Sequence, residues 1–355
     1  MEVTDIQVEG YEKVVRCKDA KSGLHALIAV HDTTLGPSLG GMRMWPYESE
    51  DEALFDVLRL SRGMTRKSAV SETGLGGGKS VIIGDPKTIK SPELFRAMGR
   101  FIEGLEGKYI TAEDMNIGIP DLEIVKEETR WVTGLSRKSG SSGNPSPYTA
   151  MGCMFGLEAV AEELFGDRSL KGKRILIQGI GAVGGRLAEL LHETGAHVII
   201  CDINDKRIAE MAEKYGMEVV DDENHLDVEC DIYAPCARGA GINDETIPQL
   251  KCKAVAGCAN NQLLEGRHAQ VLRDKGILYA PDFVLNAGGI INVSVELLPG
   301  GYNEEAAMER IRRIYDNLKQ VFEISRADGI PTSDAAIRLA DNRIEAARAA
   351  QSAGA

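Results

Sequence analysis

Two lysines and an aspartate carry the chemistry that this sequence advertises. Lys67 and Lys79 bracket the stretch GMTRKSAVSETGLGGGKS, Gly63–Ser80, and Asp114 stands further on in TAEDMN. Helix signals run from Ser49 through ESEDEALFDVLRLSRGM, with apolar residues three and four apart, so Lys67 falls near a helix end. Val81-Ile82-Ile83 reads as a strand, and Lys79 is expected where a glycine-permitted turn feeds it. Two ammonium groups gathered in a partly dry cleft repel, and each then holds its proton less tightly. A lysine so treated can act as an acid or base near neutral pH. On spacing alone, a glycine-rich loop with two solvated lysines fits equally well. Glu113 and Asp114 lie just past the strand Tyr109–Ala112, at the end where α/β proteins set functional groups. Locally, Asp114 reads more simply as a cap or turn residue.

The elements that must hold these groups fall in two blocks. The first includes strands Val14–Cys17 and Leu24–His31, a polar glycine-rich segment Asp32–Gly41, helix Pro92–Leu105 and a helix from Pro120-Asp121. RKSGSSGNPSP, Arg137–Pro147, has the composition of a hinge. After a helix from Tyr148, the apolar strand Arg174–Gln178 runs into Gly179-Ile180-Gly181-Ala182-Val183-Gly184, which opens another helix. Strand His197–Cys201 follows and ends on Asp202. A bare G-x-G-x-x-G is a weak signal, but strand before, helix after and an acid ending the next strand are the context of a dinucleotide fingerprint. The glycines permit the tight turn and close approach of a pyrophosphate, while the helix N-terminus offers amide donors. Asp202 would accept the adenine ribose hydroxyls and repel a 2′-phosphate, favouring NAD over NADP, with Lys206 and Arg207 as nearby complications. Strands and helices then alternate to about Ala280, which describes a doubly wound parallel sheet. Asn260 and Asn261 follow a strand end and Asn286 opens a glycine-rich helix start; such amides are turn or cap residues, or donors to cofactor and substrate. From Asn303 the chain is helical, with a break at Gly329–Pro331.

Composition bounds the function. A chain of 355 residues suggests about two domains, and 43% apolar residues suffice for their cores. A net charge of −13 argues against nucleic acid, which asks for a basic face. No apolar run approaches the roughly 20 residues of a membrane span, and no signal peptide is expected. The seven cysteines are scattered without a C-x-x-C pair, so neither a disulfide scaffold nor a metal site is expected and a reducing cytoplasm fits best.

GMT-x-K followed by GGGK resembles the amino-acid dehydrogenases of the glutamate, leucine, phenylalanine and valine group, most of all the leucine branch. The resemblance continues through IAVHDTTLGPSLGG, TAEDMN, NPSPYTAMG, GIGAVG, CANNQL and NAGGIINV, in order and over nearly the whole chain. It implies a two-domain α/β fold with an active-site cleft between the domains. Residues 1–139 would form a substrate and oligomerisation domain and 140–331 a Rossmann-type NAD domain, with helix 332–355 packing back on the first.

The implied reaction is reversible, NAD-dependent oxidative deamination of a branched aliphatic L-amino acid to its 2-oxo acid and ammonia. By resemblance, Lys67 holds the substrate α-carboxylate, Lys79 activates water and stabilises oxygen charge, and Asp114 moves protons to and from nitrogen. Thr149 bonds the nicotinamide amide, and Asn260 and Asn286 belong to the cofactor site with Gly179, Gly181, Ala182, Val183, Gly184 and Asp202. Gly40 and Asn261 complete the grip on substrate. The glutamate branch carries a lysine at the position of Leu39 and a hydroxyl near that of Val293; both are aliphatic here, so a pocket without counter-charge is expected. Phenylalanine dehydrogenase and a catalytically idle NAD-binding regulator are the alternatives. Partners are expected to be small molecules and copies of the same chain, as a dimer or octamer, with no membrane.

Overall fold

A mixed six-stranded sheet in the order β1-β2-β3-β5-β4-β6 frames the first part of this computed structural model, which describes residues 1–354. Its strands are β1 (Glu2–Asp5), β2 (Lys13–Asp19), β3 (Leu24–Asp32), β4 (Ser38–Trp45), β5 (Gly76–Ile83) and β6 (Tyr109–Glu113). Neighbours from β1 to β5 pair antiparallel, whereas β4 runs parallel to both β5 and β6. Helix α1 (Glu50–Val70) covers one face, α2 (Pro92–Glu103) and α3 (Ile119–Lys126) the other. Ser49 caps α1 by accepting the Glu52 amide at 3.1 Å, and Glu50, Asp51 and Glu52 oppose the positive end of its dipole. Ala53 and Val57 of α1 pack on Leu27, Ala29 and Val81, while Leu94, Phe95 and Met98 of α2 pack on Met42, Met44 and Ile82.

Two expectations need correction here. Gly76, Gly77 and Gly78 do not make a turn ahead of a strand; they are the first residues of β5 itself. A Cβ on Gly77 would stand 2.0 Å from the Thr65 amide nitrogen, and one on Gly78 2.6 Å from Ser38 Oγ. The glycines thus let α1 and β4 lie hard against β5, a close-approach role that local turn chemistry mimics. The polar segment Asp32–Gly41 also hides a strand, since β4 begins at Ser38. A parallel strand buried on both faces lacks polar alternation, and two glycines disguised it further.

The second part holds a six-stranded, wholly parallel sheet in the order β12-β11-β10-β7-β8-β9. Helix α4 (Ser146–Phe165) leads in. Then come β7 (Arg174–Gln178), α5 (Ala182–Glu193), β8 (His197–Cys201), α6 (Asp205–Tyr215), β9 (Glu218–Val219), β10 (Ile232–Pro235) and β11 (Ala254–Val255). They are followed by α7 (His268–Asp274), β12 (Leu278–Tyr279), α8 (Asp282–Leu285) and α9 (Gly288–Ser294), with the long α10 (Glu304–Asp328) and α11 (Thr332–Gly354) closing the chain. Strand order reverses at β7, between β8 and β10, which is where doubly wound sheets open a ligand crevice. Asn286 is the C-cap of α8 rather than the start of a helix; α9 begins two positions later at Gly288.

Contacts divide the molecule into a unit of Met1–Asn144, Val293–Asn303 and the C-terminal residues from Ala340, and a unit of Pro145–Asn292 with Glu304–Leu339. In the first, Arg343 donates to the carbonyls of Ala69 and Val70 at 3.2 and 2.7 Å. Those are end carbonyls that α1 cannot satisfy within itself. Arg348 pairs with Asp32 nearby. No helix among the described residues is long and apolar enough to cross a membrane.

Candidate active site

Strand register decides which side chains can meet. Leu39 pairs with Gly77 of β5 and Ile110 of β6, and Met42 with Ser80. Alternation then sets Leu39, Gly41 and Arg43 on one face with Lys79 and Ala112, and Asp114 follows just past the end of β6. Lys79 Nζ donates to Asp114 Oδ2 at 2.6 Å, and Arg43 Nε donates to the same oxygen at 3.0 Å. Gly41 makes room for this pairing, because a Cβ there would meet Asp114 Cβ at 2.7 Å. On the opposite face Tyr109 donates to the Gly40 carbonyl at 2.7 Å and sits 3.0 Å from Ser80 Oγ, tying β4 to β5 and β6.

The electrostatics follow from burial. Lys79 is 5% exposed, and burial pulls its pKa below the ordinary lysine value, against the opposing pull of Asp114 and with help from Arg43. Desolvation favours the neutral Asp114, but Lys79 and Arg43 outweigh it and hold the carboxyl below its usual value. Glu113, half-buried beside it, is pushed up by its own desolvation and by the Asp114 charge. The expected source of the lysine's shift therefore changes. Burial is the main cause, and the foremost cation reinforcing it is Arg43.

Lys67 occupies the last turn of α1, half-buried, on the helix that packs over β5. Leu39 and Val293 are buried at 2% and 6% exposure. Both belong to the first unit, as do Gly40, Lys67, Lys79 and Asp114.

In the second unit Gly179 takes φ +92°, a conformation open to glycine, and a Cβ on Gly184 would strike the Gly179 carbonyl at 2.0 Å. Gly181 caps α5 without a side-chain bond, which leaves the first-turn amides around Ala182 and Val183 available to an anion. The Asp202 carboxylate accepts the Ile180 amide at 2.7 Å and the Asn204 amide at 2.9 Å, so it braces the glycine loop beside β8. A bare helix start, a loop that excludes side chains and an acid at its edge fit a dinucleotide.

Asn286 Nδ2 donates to Asn260 Oδ1 at 2.7 Å and to the Cys258 carbonyl at 3.2 Å, bringing the two asparagines together. Asn261 sits in the left-handed region at φ +51°. The Thr149 hydroxyl donates to the Pro145 carbonyl at 3.1 Å, and a Cβ on Gly289 would lie 2.8 Å from it, so the starts of α4 and α9 adjoin.

Sequence reasoning missed Arg43, which also donates to Asp56 Oδ2 at 3.0 Å, and Tyr47, whose hydroxyl reaches the same oxygen at 2.7 Å. The available signal was the two-residue alternation Leu39, Gly41, Arg43, visible only once β4 is recognised as a strand.

Residues 11–134 match the family described as Glu/Leu/Phe/Val dehydrogenase, dimerisation domain. Segments 140–205 and 200–352 match Glutamate/Leucine/Phenylalanine/Valine dehydrogenase. The leucine dehydrogenase of Thermoactinomyces intermedius is 56% identical over 342 residues, spanning 96% of this chain and 93% of that protein. The phenylalanine dehydrogenase of Bacillus thermotolerans is 48% identical across 95% and 89% of the two chains. The crystal structure of L-tryptophan dehydrogenase from Nostoc punctiforme superposes with a TM-score of 0.87 at 41% identity, over 96% of this chain and 97% of that one. With both units matched and sequence relatives covering nearly its full length, the chain belongs to the glutamate/leucine/phenylalanine/valine dehydrogenase family.

Proposed function

We propose that this protein oxidatively deaminates leucine, and with it isoleucine and valine, to the 2-oxo acid and ammonia. It is an NAD-dependent amino-acid dehydrogenase, and the leucine dehydrogenases stand above the phenylalanine enzymes in identity, 56% against 48%. The observation that carries the chemistry is the buried Lys79–Asp114 pair at 2.6 Å. A lysine with a weakened hold on its proton, bonded to an ionised carboxylate, can take a proton from water and pass it on.

Bound NAD supplies the acceptor for the hydride that leaves the substrate Cα. Lys67 pairs with the α-carboxylate and fixes the substrate's orientation. Lys79 draws a proton from the attacking water and then stabilises the charge on the new oxygen. Asp114 carries protons to and from the departing nitrogen. Gly40 contributes backbone, Asn261 an amide, and Leu39 and Val293 apolar contact to the side chain. On the cofactor side, Thr149 bonds the nicotinamide amide, Asn260 and Asn286 support it, and the Gly179–Gly184 loop takes the pyrophosphate. The test is NADH formation across a panel of L-amino acids. Leucine, isoleucine and valine should all react, because one methylene in an aliphatic pocket changes kcat/KM by only about 10–200-fold. A panel in which phenylalanine leads would reassign the pocket.

The Asp202 reading gives a second measurement. A carboxylate facing a 2′-phosphate costs several kcal/mol by order of magnitude, so kcat/KM for NAD should exceed that for NADP at least about 100-fold. Arg207 offers the competing outcome, since its Nη1 lies 3.8 Å from the place a Gly181 Cβ would take. Equal values for the two cofactors would mean that Arg207 neutralises the phosphate.

The reading also includes a cytoplasmic home and a homo-oligomer, dimer or octamer. All seven cysteines are free thiols, which suits a reducing compartment. The first unit matches a domain described by dimerisation and exposes Trp45, Phe55 and Met115 at 42%, 69% and 47%.

A further inference from the structure

We propose that Arg43, anchored by Asp56 and Tyr47, is a positioning residue that fixes the orientation and charge of Asp114 toward Lys79. This rests on the reading that Asp114 takes part in turnover. Three features support it. Arg43 Nε and Lys79 Nζ converge on one carboxylate oxygen, Oδ2, at 3.0 and 2.6 Å. The other end of the guanidinium is held, with Nη1 on Asp56 Oδ2 at 3.0 Å, while Tyr47 donates to that same oxygen at 2.7 Å and Arg59 to Oδ1 at 3.0 Å. Finally, the Arg43 side chain is only 17% exposed, and so is shielded from solvent screening.

The arrangement has a chemical logic. A carboxylate that accepts from a lysine alone loses its counter-charge whenever the lysine gives up its proton. Arg43 stays charged at every working pH and presents a rigid fork, so Asp114 keeps its aim and returns to the carboxylate form after each proton it passes on. Asp56 in turn stops Arg43 from swinging to water. The charged and titratable groups around Asp114 are Arg43 on β4, Lys79 on β5, Asp56 on α1, Glu113 and Tyr109 on β6, and Tyr47 after β4. Among these, Arg43 lowers both Lys79 and Asp114. Its removal must therefore raise both.

The test uses the full-length protein with leucine and NAD, measuring kcat and KM from acid to alkaline pH. Arg43→Gln should lower kcat by up to about 100-fold, the cost of misplacing a reacting group by about 1 Å. KM for NAD should stay within threefold or so of the parent, and the acid limb of the kcat/KM profile should move to higher pH, because the cation opposing both protons is gone. Arg43→Lys keeps the charge but loses the fork, so its acid limb should stay near the parent's while kcat remains depressed. A merely structural role would reduce activity without moving the limb. Asp114→Asn separates a failure of the catalytic site from a failure of the positioning role. If Asp114→Asn turns over like the parent, the reading of the site fails. If it is inactive while Arg43→Gln keeps the parent's kcat and profile, only the positioning role fails. Should Arg43→Gln not fold, Arg43→Lys decides, and an unchanged kcat there overturns the proposal.

Discussion

Replacing Lys79 by alanine is expected to cost turnover about three orders of magnitude or more while leaving NADH binding close to that of the parent. General acid–base catalysis contributes about 10²–10⁴-fold, and loss of a charge that stabilises a developing oxyanion about 10²–10³-fold. Lys79 serves both ends in the proposed mechanism. The separation from cofactor binding follows from where the groups lie: Lys79 is on β5 of the first unit, and the Gly179–Gly184 loop is in the second. Fluorescence titration with NADH reads binding, and stopped-flow or steady-state oxidation of leucine reads turnover. The substitution also leaves Asp114 facing Arg43 alone, so the carboxylate stays paired and the sheet should hold. The pH dependence has a definite sign. Lys79 acts as a base only when neutral, so leucine oxidation should rise with pH through its pKa, at lower pH than an unperturbed lysine would give. An alanine variant with kcat within tenfold of the parent would remove Lys79 from the reaction.

Much of this site can be read from the sequence, and what cannot has identifiable physical causes. The second sheet was legible because most of its strands are short and apolar, and α5 and α6 alternate with β7, β8 and β9. Its glycine loop also sits in the strand–turn–helix context that gives such loops meaning. The first sheet was harder. Gly76–Gly78 and Gly40–Gly41 have turn composition, yet they lie inside β5 and β4, where their missing side chains let α1, Ser38 and Asp114 come close. That reason is tertiary, and no local rule sees it. Arg43 was hidden for the same cause: once β4 is taken for a loop, the alternation that aims Arg43 at Asp114 disappears. Lys79 and Asp114 were found as residue types, but their 2.6 Å pairing joins β5 to the residue just past the end of β6, two strands that are not sheet neighbours because β4 lies between them.

Placing a lysine at position 39 should depress leucine kcat/KM by about 100-fold or more while the protein remains folded. Leu39 is 2% exposed in the middle of three parallel strands, between Gly77 of β5 and Ile110 of β6, on the face that carries Lys79. An ammonium introduced there meets an apolar site on a face that already holds one desolvated lysine, and the Asp114 carboxylate on that face is taken up by Lys79 and Arg43. An unpaired charge in such a pocket costs several kcal/mol unless it sheds its proton, and either response removes the apolar surface that a leucine side chain would bury. The resembled glutamate enzymes use a lysine at this position to meet the γ-carboxylate. Leu39→Lys should therefore lose leucine far more than it loses glutamate, and the ratio of the two kcat/KM values is the quantity to measure. Leu39→Met, which conserves volume and polarity, should stay within a few-fold of the parent and shows that the effect is charge rather than disturbed packing. The strongest contrary result would come from the unmodified protein. If it oxidised glutamate faster than leucine, neither Leu39 nor Val293 could line the pocket, and the counter-charge for the γ-carboxylate would have to be sought elsewhere in the first unit.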